Sequence, residues 1–297
     1  MLGFYRCHCK ENEKIIIKTK HIFTMNVIML HGGAGSTGVE QKLMEYAVKS
    51  KSGSALDSVC NAVVLMENDP CFNAGTGSCM RLDGSIQMDA AVMTSKGFGS
   101  VMAIENVKNP VLVARAVMER SPHLIMAGDG AEKFAHLLGF EKYDPSTERA
   151  AKRRENDISM ILSRKIDSYN KMMETVDISK FVDTVGAVAR VNGEFAAAVS
   201  TGGAPPMLRG RVGDSPVPGA GIFCGENGAV VATGVGEEII KNMLCISIYN
   251  EIGRESLSKI VMKNISRFRY HAGVIAISNE EYFAYSNTDM SYAALEF

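Results

Sequence analysis

The chain contains no tryptophan, and no apolar run approaches the roughly 18 residues that would mark a membrane-spanning helix. Its opening residues, Met1-Leu2-Gly3-Phe4-Tyr5-Arg6-Cys7-His8-Cys9-Lys10, hold no apolar core of a secretory signal. A basic surplus is missing too: 32 Lys and Arg stand against 33 Asp and Glu, and the net charge of −1 argues against a nucleic-acid partner. Seven cysteines, an odd number scattered without metal or disulfide spacing, are expected in a reducing cytoplasm. Cys7-His8-Cys9 offers soft ligands, but no second cluster completes a set of four, so it reads as a solvated tail. No Gly-x-Ser-x-Gly occurs, which removes the nucleophile elbow of common serine hydrolases. No Gly-Lys-Ser/Thr occurs either, which removes a phosphate-cradling P-loop.

What is present is enough to build a large core. With 297 residues, 46% of them hydrophobic, the chain can bury one large core or two modest ones. Residues 1–24 differ from the rest: Lys10, Lys14, Lys18 and Lys20 are interleaved with short apolar pieces, and the segment is expected to be a loose extension, with Met25 as the start of the folded chain. Asn26-Val27-Ile28-Met29-Leu30 then reads as a short buried strand. It leads into a glycine-rich loop, His31-Gly32-Gly33-Ala34-Gly35-Ser36-Thr37-Gly38.

Helical spacing predicts helices over 40–50 and 54–67, the second capped by Ser54, and over 110–120 and 130–138. Strands are expected over 85–93 and 100–104. Residues 141–183 are densely charged, and a stripe of Ile158, Ile161, Leu162, Ile166 and Tyr169 predicts a helix in part of them; the remainder reads as a linker. Strands over 184–191 and 194–200 flank the turn pair Asn192-Gly193, and strands over 222–224 and 229–233 flank Glu226-Asn227-Gly228. Helices over 237–251 and 255–267 precede a last hairpin, 273–278 with 281–285. Hairpins grouped around helical blocks favour antiparallel sheets covered by helices over a doubly wound parallel sheet.

Gly33-Ala34-Gly35-Ser36-Thr37-Gly38 satisfies the GxGxxG pattern after a strand, but the acidic residue expected about 20 positions on is Asp57, inside a helical pattern, so the dinucleotide reading fails on context. The glycines serve either a tight turn or the close approach of backbone to a reacting centre.

Thr184 opens a strand-like run. A threonine hydroxyl is a weak nucleophile until a base touches it, and breaking the chain before the threonine supplies one, its own new α-amine. Downstream, Arg211 and Asp214 sit in a glycine-bounded turn; a guanidinium fork suits an α-carboxylate and a carboxylate suits an α-ammonium, although a local surface ion pair fits the same residues. Thr233-Gly234 ends a strand before a helix, where hydroxyl and backbone N–H would make an oxyanion hole, or Thr233 would be an ordinary helix N-cap.

The chain resembles the N-terminal-nucleophile asparaginase family, which includes plant-type asparaginases, isoaspartyl peptidases, aspartylglucosaminidase and threonine aspartase. The resemblance runs from about Val27 to the end of the chain, through His31-Gly32-Gly33-Ala34-Gly35, Asp69-Pro70-Cys71-Phe72-Asn73-Ala74-Gly75, Met88-Asp89-Ala90-Ala91, Gly130-Ala131-Glu132-Lys133-Phe134, the Thr184 and Arg211 segments and Thr233-Gly234-Val235-Gly236-Glu237. It implies an α+β fold, an αββα four-layer sandwich of two stacked, mainly antiparallel sheets covered by helices. It implies self-cleavage between Asp183 and Thr184 into segments 25–183 and 184–297, Thr184 as nucleophile, Thr201 as the threonine bonded to it, and Thr233 and Gly234 as oxyanion donors. Arg211 and Asp214 become grips on the substrate head group, with Asn73, Gly32 and Gly33 in support.

The loop that opens at Glu67 and closes at Gly75 resembles one that can hold a structural sodium through carbonyls. No cofactor is implied. Partners would be a small-molecule or dipeptide substrate with a free aspartyl head group and a second copy of the cleaved protomer, with neither nucleic acid nor membrane. Asparaginase-type members usually carry Gly before the nucleophile; Asp183 is instead like the glucosaminidase and threonine aspartase branches, while Ser200-Thr201-Gly202-Gly203 and Arg211-Val212-Gly213-Asp214 are like the asparaginase branch. The expected activity is hydrolysis of β-aspartyl peptides and L-asparagine. A threonine aspartase-like protease, a glycosylasparaginase and an uncleaved, non-catalytic amino-acid-binding protein are the alternatives.

Overall fold

The computed structural model describes residues 25–163 and 184–297. The expectations for residues 1–24, for the later part of the charged linker and for Asp183 lie outside the described residues.

The strands form two sheets. In the first half of the chain are β1 (Val27–Ala34), β2 (Met88–Thr94), β3 (Phe98–Ile104) and β4 (Ile125–Ala127); the second half supplies β5 (Val185–Val191), β6 (Glu194–Thr201), β7 (Ile222–Gly225), β8 (Gly228–Gly234), β9 (Ala272–Ser278), β10 (Tyr282–Ser286) and β11 (Met290–Glu296). A seven-stranded sheet runs β11-β1-β5-β6-β2-β3-β4, and a four-stranded sheet runs β10-β9-β8-β7. Every pairing is antiparallel except β3 with β4.

The helices are α1 (Glu40–Lys49), α2 (Ala55–Glu67), α3 (Pro110–Arg120), α4 (Gly128–Leu137), α5 (Glu148–Ser163), α6 (Gly236–Asn242), α7 (Leu244–Tyr249) and α8 (Leu257–Ile265). Side-chain alternation along the strands sorts them into layers. On β1, Val27 and Met29 meet Val231 and Ile275 of the small sheet, while Ile28 and Leu30 join Val59, Val63 and Val113 of α2 and α3. On β8, Val230 and Ala232 turn the other way, onto Leu244, Ile248 and Ile260 of α7 and α8. Both faces of the central strands are therefore covered, which explains their near-continuous apolar sequence. Two facing sheets, each backed by helices, make the α+β sandwich expected above.

Local chemistry explains the hairpins. Asn192 (φ 53°) and Gly193 (φ 79°) both take the left-handed conformation that a two-residue turn between twisted strands demands. The Ser54 hydroxyl accepts the Asp57 N–H at 3.3 Å and caps α2.

Five elements differ from the sequence reading. The glycine-rich segment is strand as far as Ala34, because β11 and β5 pair with it on both sides (His31 with Tyr292 and with Gly186). The strand expected from 85 begins at Met88, since Ser85 is held in a turn by Asp83. The helix expected over 237–251 is two helices, broken where Met243 adopts φ 45°. The strands β4 and β11 were not anticipated. The helix expected in part of the charged segment is α5, docked through its arginines: Arg149 donates to the Cys71, Phe72 and Gly77 carbonyls, and Arg154 donates to the Leu82 carbonyl at 2.9 Å.

Candidate active site

Thr184 stands immediately before β5, in the middle of the large sheet. Val185 pairs with Ser200, so one step further along the antiparallel register faces Thr184 with Thr201, the last residue of β6. The Thr184 hydroxyl donates to the Thr201 hydroxyl oxygen at 3.2 Å, and the Gly203 N–H donates to that same oxygen at 3.0 Å.

Asn73 fastens this turn from below. Its side-chain amide donates to the Gly203 carbonyl at 2.6 Å, its side-chain oxygen accepts the Cys79 N–H at 2.9 Å, and its backbone carbonyl accepts the Gly202 N–H at 2.9 Å. A Cβ at position 202 would lie 2.4 Å from the Asn73 side-chain oxygen, so glycine is required there for close approach.

Thr233 and Gly234 end β8 in the small sheet. Thr233 is fully buried, and its hydroxyl oxygen accepts the Ala34 N–H at 3.0 Å, tying the ends of β1 and β8 together across the sandwich. That bond uses the oxygen as acceptor and leaves the hydroxyl proton to be donated elsewhere. Thr233 is not the cap of the next helix: α6 has Val235 at its N-cap, with no side-chain capping bond. Gly32 and Gly33 lie in β1 just before Ala34 and bond neither Thr184 nor Thr201; Gly33 (φ 107°) has its carbonyl held by the Ser36 hydroxyl at 2.6 Å.

Arg211 and Asp214 lie in the loop between β6 and β7. The surface ion pair between them is not what forms. Arg211 makes a bidentate bond to Glu237, Nε to Oε1 and Nη2 to Oε2, both 3.0 Å. Burial works against the Arg211 charge, and Glu237 overrides it, leaving the guanidinium more firmly protonated than usual. Asp214 is 4% exposed and its Oδ2 is buried with no hydrogen-bond partner among the described residues. Burial pushes its carboxyl up to about 7, against the pull of Arg211.

Three buried residues of the site were not singled out from sequence. Arg81, fully buried, donates to the Gly202 carbonyl (3.4 Å), the Gln87 carbonyl (3.0 Å) and the Arg211 carbonyl (3.2 Å), and contacts the Met207 sulfur, so one guanidinium ties the Thr201 turn to the Arg211 loop. Asp89 accepts the Ala103 N–H at 2.7 Å, stabilising Ala103 at φ 50°, and accepts the Gly213 N–H at 3.4 Å. His31 packs beneath β5, its Nε2 2.4 Å from where a Cβ on Gly186 would sit; burial lowers its pKa to about 3, so it stays neutral. Arg81 sits in a turn region that carries no periodic signal, whereas Asp89 in β2 and His31 in β1 lie within motifs that carry the resemblance, which assigns them no role.

The described residues contain no cluster of three His, Cys, Asp or Glu side chains that could hold a metal ion, and no described helix is long and apolar enough to cross a membrane.

Two facing sheets with helices outside are the fold expected of an N-terminal-nucleophile hydrolase. The family model described as "Asparaginase" matches residues 25–296, and the chain belongs to that family. It is 35% identical over 295 residues to a plant-type L-asparaginase of Pyrococcus abyssi, covering 92% of this chain and 97% of that protein. It is 39% identical over 244 residues to an isoaspartyl peptidase/L-asparaginase of Mus musculus, covering 75% and 72%. It is 38% identical over 280 residues to an isoaspartyl peptidase of Salmonella typhimurium, covering 86% and 89%.

Proposed function

We propose that this chain is a self-processing threonine hydrolase that cleaves β-aspartyl peptides and L-asparagine. The observation that carries the reading is the 3.2 Å bond between the hydroxyls of Thr184 and Thr201. The names of the relatives support the substrate class.

In the first reaction the Thr184 hydroxyl attacks the Asp183 carbonyl, with the Asp183 carboxylate as the base that takes its proton. The peptide C–N bond breaks as the Thr184 nitrogen leaves as an amine, and water opens the resulting ester. The freed α-amine, with a reference pKa of about 7.7–8.0, is neutral in useful amount at physiological pH. In the second reaction it takes the Thr184 hydroxyl proton while the oxygen attacks the substrate β-carbonyl. Thr201 holds the nucleophile in place. The Thr233 hydroxyl and the Gly234 N–H stabilise the tetrahedral oxyanion, a role whose loss typically costs about 10²–10³ in turnover. The leaving amine departs, and water hydrolyses the threonyl β-aspartyl ester. Arg211 takes the substrate α-carboxylate and Asp214 its α-ammonium.

The carbonyls of the loop between Glu67 and Gly75 would hold a sodium ion. Glu67 accepts the Thr76 N–H at 2.8 Å and Asp69 the Phe72 N–H at 3.1 Å, and a carbonyl retains a second lone pair, so the donor set fits an alkali cation. Such an ion would stiffen the loop that carries Asn73, and no step of the reaction passes through it. The five described cysteines are all free, which supports a cytoplasmic location, and the working assembly is a homodimer of cleaved protomers.

A denaturing gel with N-terminal sequencing tests the proposal. Two fragments, the smaller beginning at Thr184, are expected, along with ammonia release from asparagine and cleavage of β-Asp-Leu. An active protein with an unbroken backbone overturns it.

A further inference from the structure

Arg211 presents three faces, and only one is open to a ligand. The Nε–Nη2 edge is filled by the Glu237 carboxylate through two 3.0 Å bonds. Behind the residue, its own carbonyl is held by the buried Arg81 at 3.2 Å. Nη1 lies against Gly213, where a Cβ would come within 2.9 Å of it, and it takes no part in the two bonds to Glu237. Gly236 completes the cradle: a Cβ there would lie 2.8 Å from Asp214 Oδ1 and 3.0 Å from Arg211 Nη2. The two glycines keep a β-carbon away from Nη1 and from Asp214 Oδ1, and Asp214 Oδ2 has no hydrogen-bond partner among the described residues. The Glu237 side chain is 42% exposed against 13% for Arg211, so the acid approaches from the solvent side and the arginine stands deeper.

An arginine stem has four rotatable bonds, and an unpaired guanidinium loses rotamer freedom on gripping a ligand. A bidentate carboxylate fixes the plane of the fork in advance. From this we propose that Glu237 is a positioning residue: it locks the Arg211 guanidinium so that Nη1, rather than the Nε–Nη2 edge, receives the substrate α-carboxylate beside Asp214. The inference rests on the head-group assignment of Arg211 proposed above. It also predicts single-point rather than fork-to-fork recognition of that carboxylate, because the bidentate edge is already committed.

The test uses the processed enzyme and steady-state kinetics with β-Asp-Leu. Glu237→Ala should raise KM about 10- to 100-fold while kcat changes less than about 3-fold, on the scale of losing a preorganised charge-assisted pair. Glu237→Gln, which keeps the planar shape and one acceptor, should recover most of the lost affinity. In an Arg211→Ala background, Glu237→Ala should have no further effect on KM, because the acid acts through that arginine. An unchanged or lowered KM in Glu237→Ala overturns the inference, the latter by showing that Glu237 competes with substrate. An equal rise in KM with and without Arg211 overturns it as well. If Arg211→Ala itself leaves KM unaltered, the head-group assignment fails first, and the two failures are told apart. Should Glu237→Ala prove unstable, Glu237→Leu, which keeps the bulk of the stem and removes both acceptors, carries the decision in its place: a wild-type KM combined with a normal Arg211→Ala defect overturns the inference.

Discussion

Thr184 and Thr201 come from adjacent strands, and their hydroxyls meet at 3.2 Å with the Thr184 oxygen as donor. Thr201 thus accepts twice, from Thr184 and from the Gly203 N–H, and its position is fixed by backbone on one side and the Thr184 hydroxyl on the other. Thr201→Val keeps the shape and removes the acceptor. It should lower kcat by about 10² or more with little change in KM, and Thr201→Ser should restore most of the rate. Steady-state kinetics of the three proteins checks this.

Thr184→Ala should remain one uncut chain and be inactive, because both reactions use the same hydroxyl. Intact-mass measurement gives the first result and an ammonia assay the second. Full activity in this variant would end the proposed mechanism.

Arg211→Ala should weaken substrate binding by about 1.5–3 kcal/mol, the range for hydrogen bonds to charged groups, while still cleaving itself. Isothermal titration with L-aspartate reads the affinity. Normal aspartate binding would show that the head-group pocket lies elsewhere.

In the proposed site Asp214 would link substrate affinity to pH. Its carboxyl is pushed up to about 7 by burial, and only the ionised form attracts an ammonium group. KM should therefore fall as pH rises through about 7, and Asp214→Asn should remove that dependence. The same shift acts on stability with the opposite sense. The folded state holds the Asp214 proton over the range between the ordinary carboxylate pKa and about 7, so this group's contribution to stability declines as pH rises through that range and levels off above it. Thermal melts of wild type and Asp214→Asn from pH 4 to 9, on the scale of that shift, should differ most at the alkaline end.

Gly186→Ala should destabilise the fold by about 1–3 kcal/mol, because the new methyl would sit 2.4 Å from His31 Nε2 and 3.0 Å from Val231 Cγ2 in the closed space between the sheets. Urea unfolding measures the loss. An unchanged midpoint would mean that the two sheets separate easily at this end.

Much of this was legible from residues alone, and the exceptions share a cause. Asn192-Gly193 named its own hairpin, since few residues tolerate two successive positive φ values. Ser54 announced α2 through its hydroxyl. By contrast, the glycines after His31 have weak strand preference and become strand because β11 and β5 clamp them from either side, a long-range fact. Met243 breaks a helix with neither Gly nor Pro to signal it, as the chain turns to seat Leu244 and Ile248 on β8. At the site, Arg211 and Asp214 drew attention as a pair, yet the arginine's actual partner is Glu237, 26 positions further on. Arg81 could not be found this way: nothing in Met80-Arg81-Leu82 marks a guanidinium destined for the interior.

The order of strands in the large sheet has a mechanical consequence. β1 belongs to the stretch before Thr184, yet it is laced between β11 and β5, which both belong to the stretch after it. On the other flank, β2 is zipped to β6 from the later stretch. A cut before Thr184 would therefore part the covalent thread without parting the cloth: the two pieces remain stitched by three seams of backbone hydrogen bonds, and neither can leave without unravelling the sheet that positions the Thr184 hydroxyl.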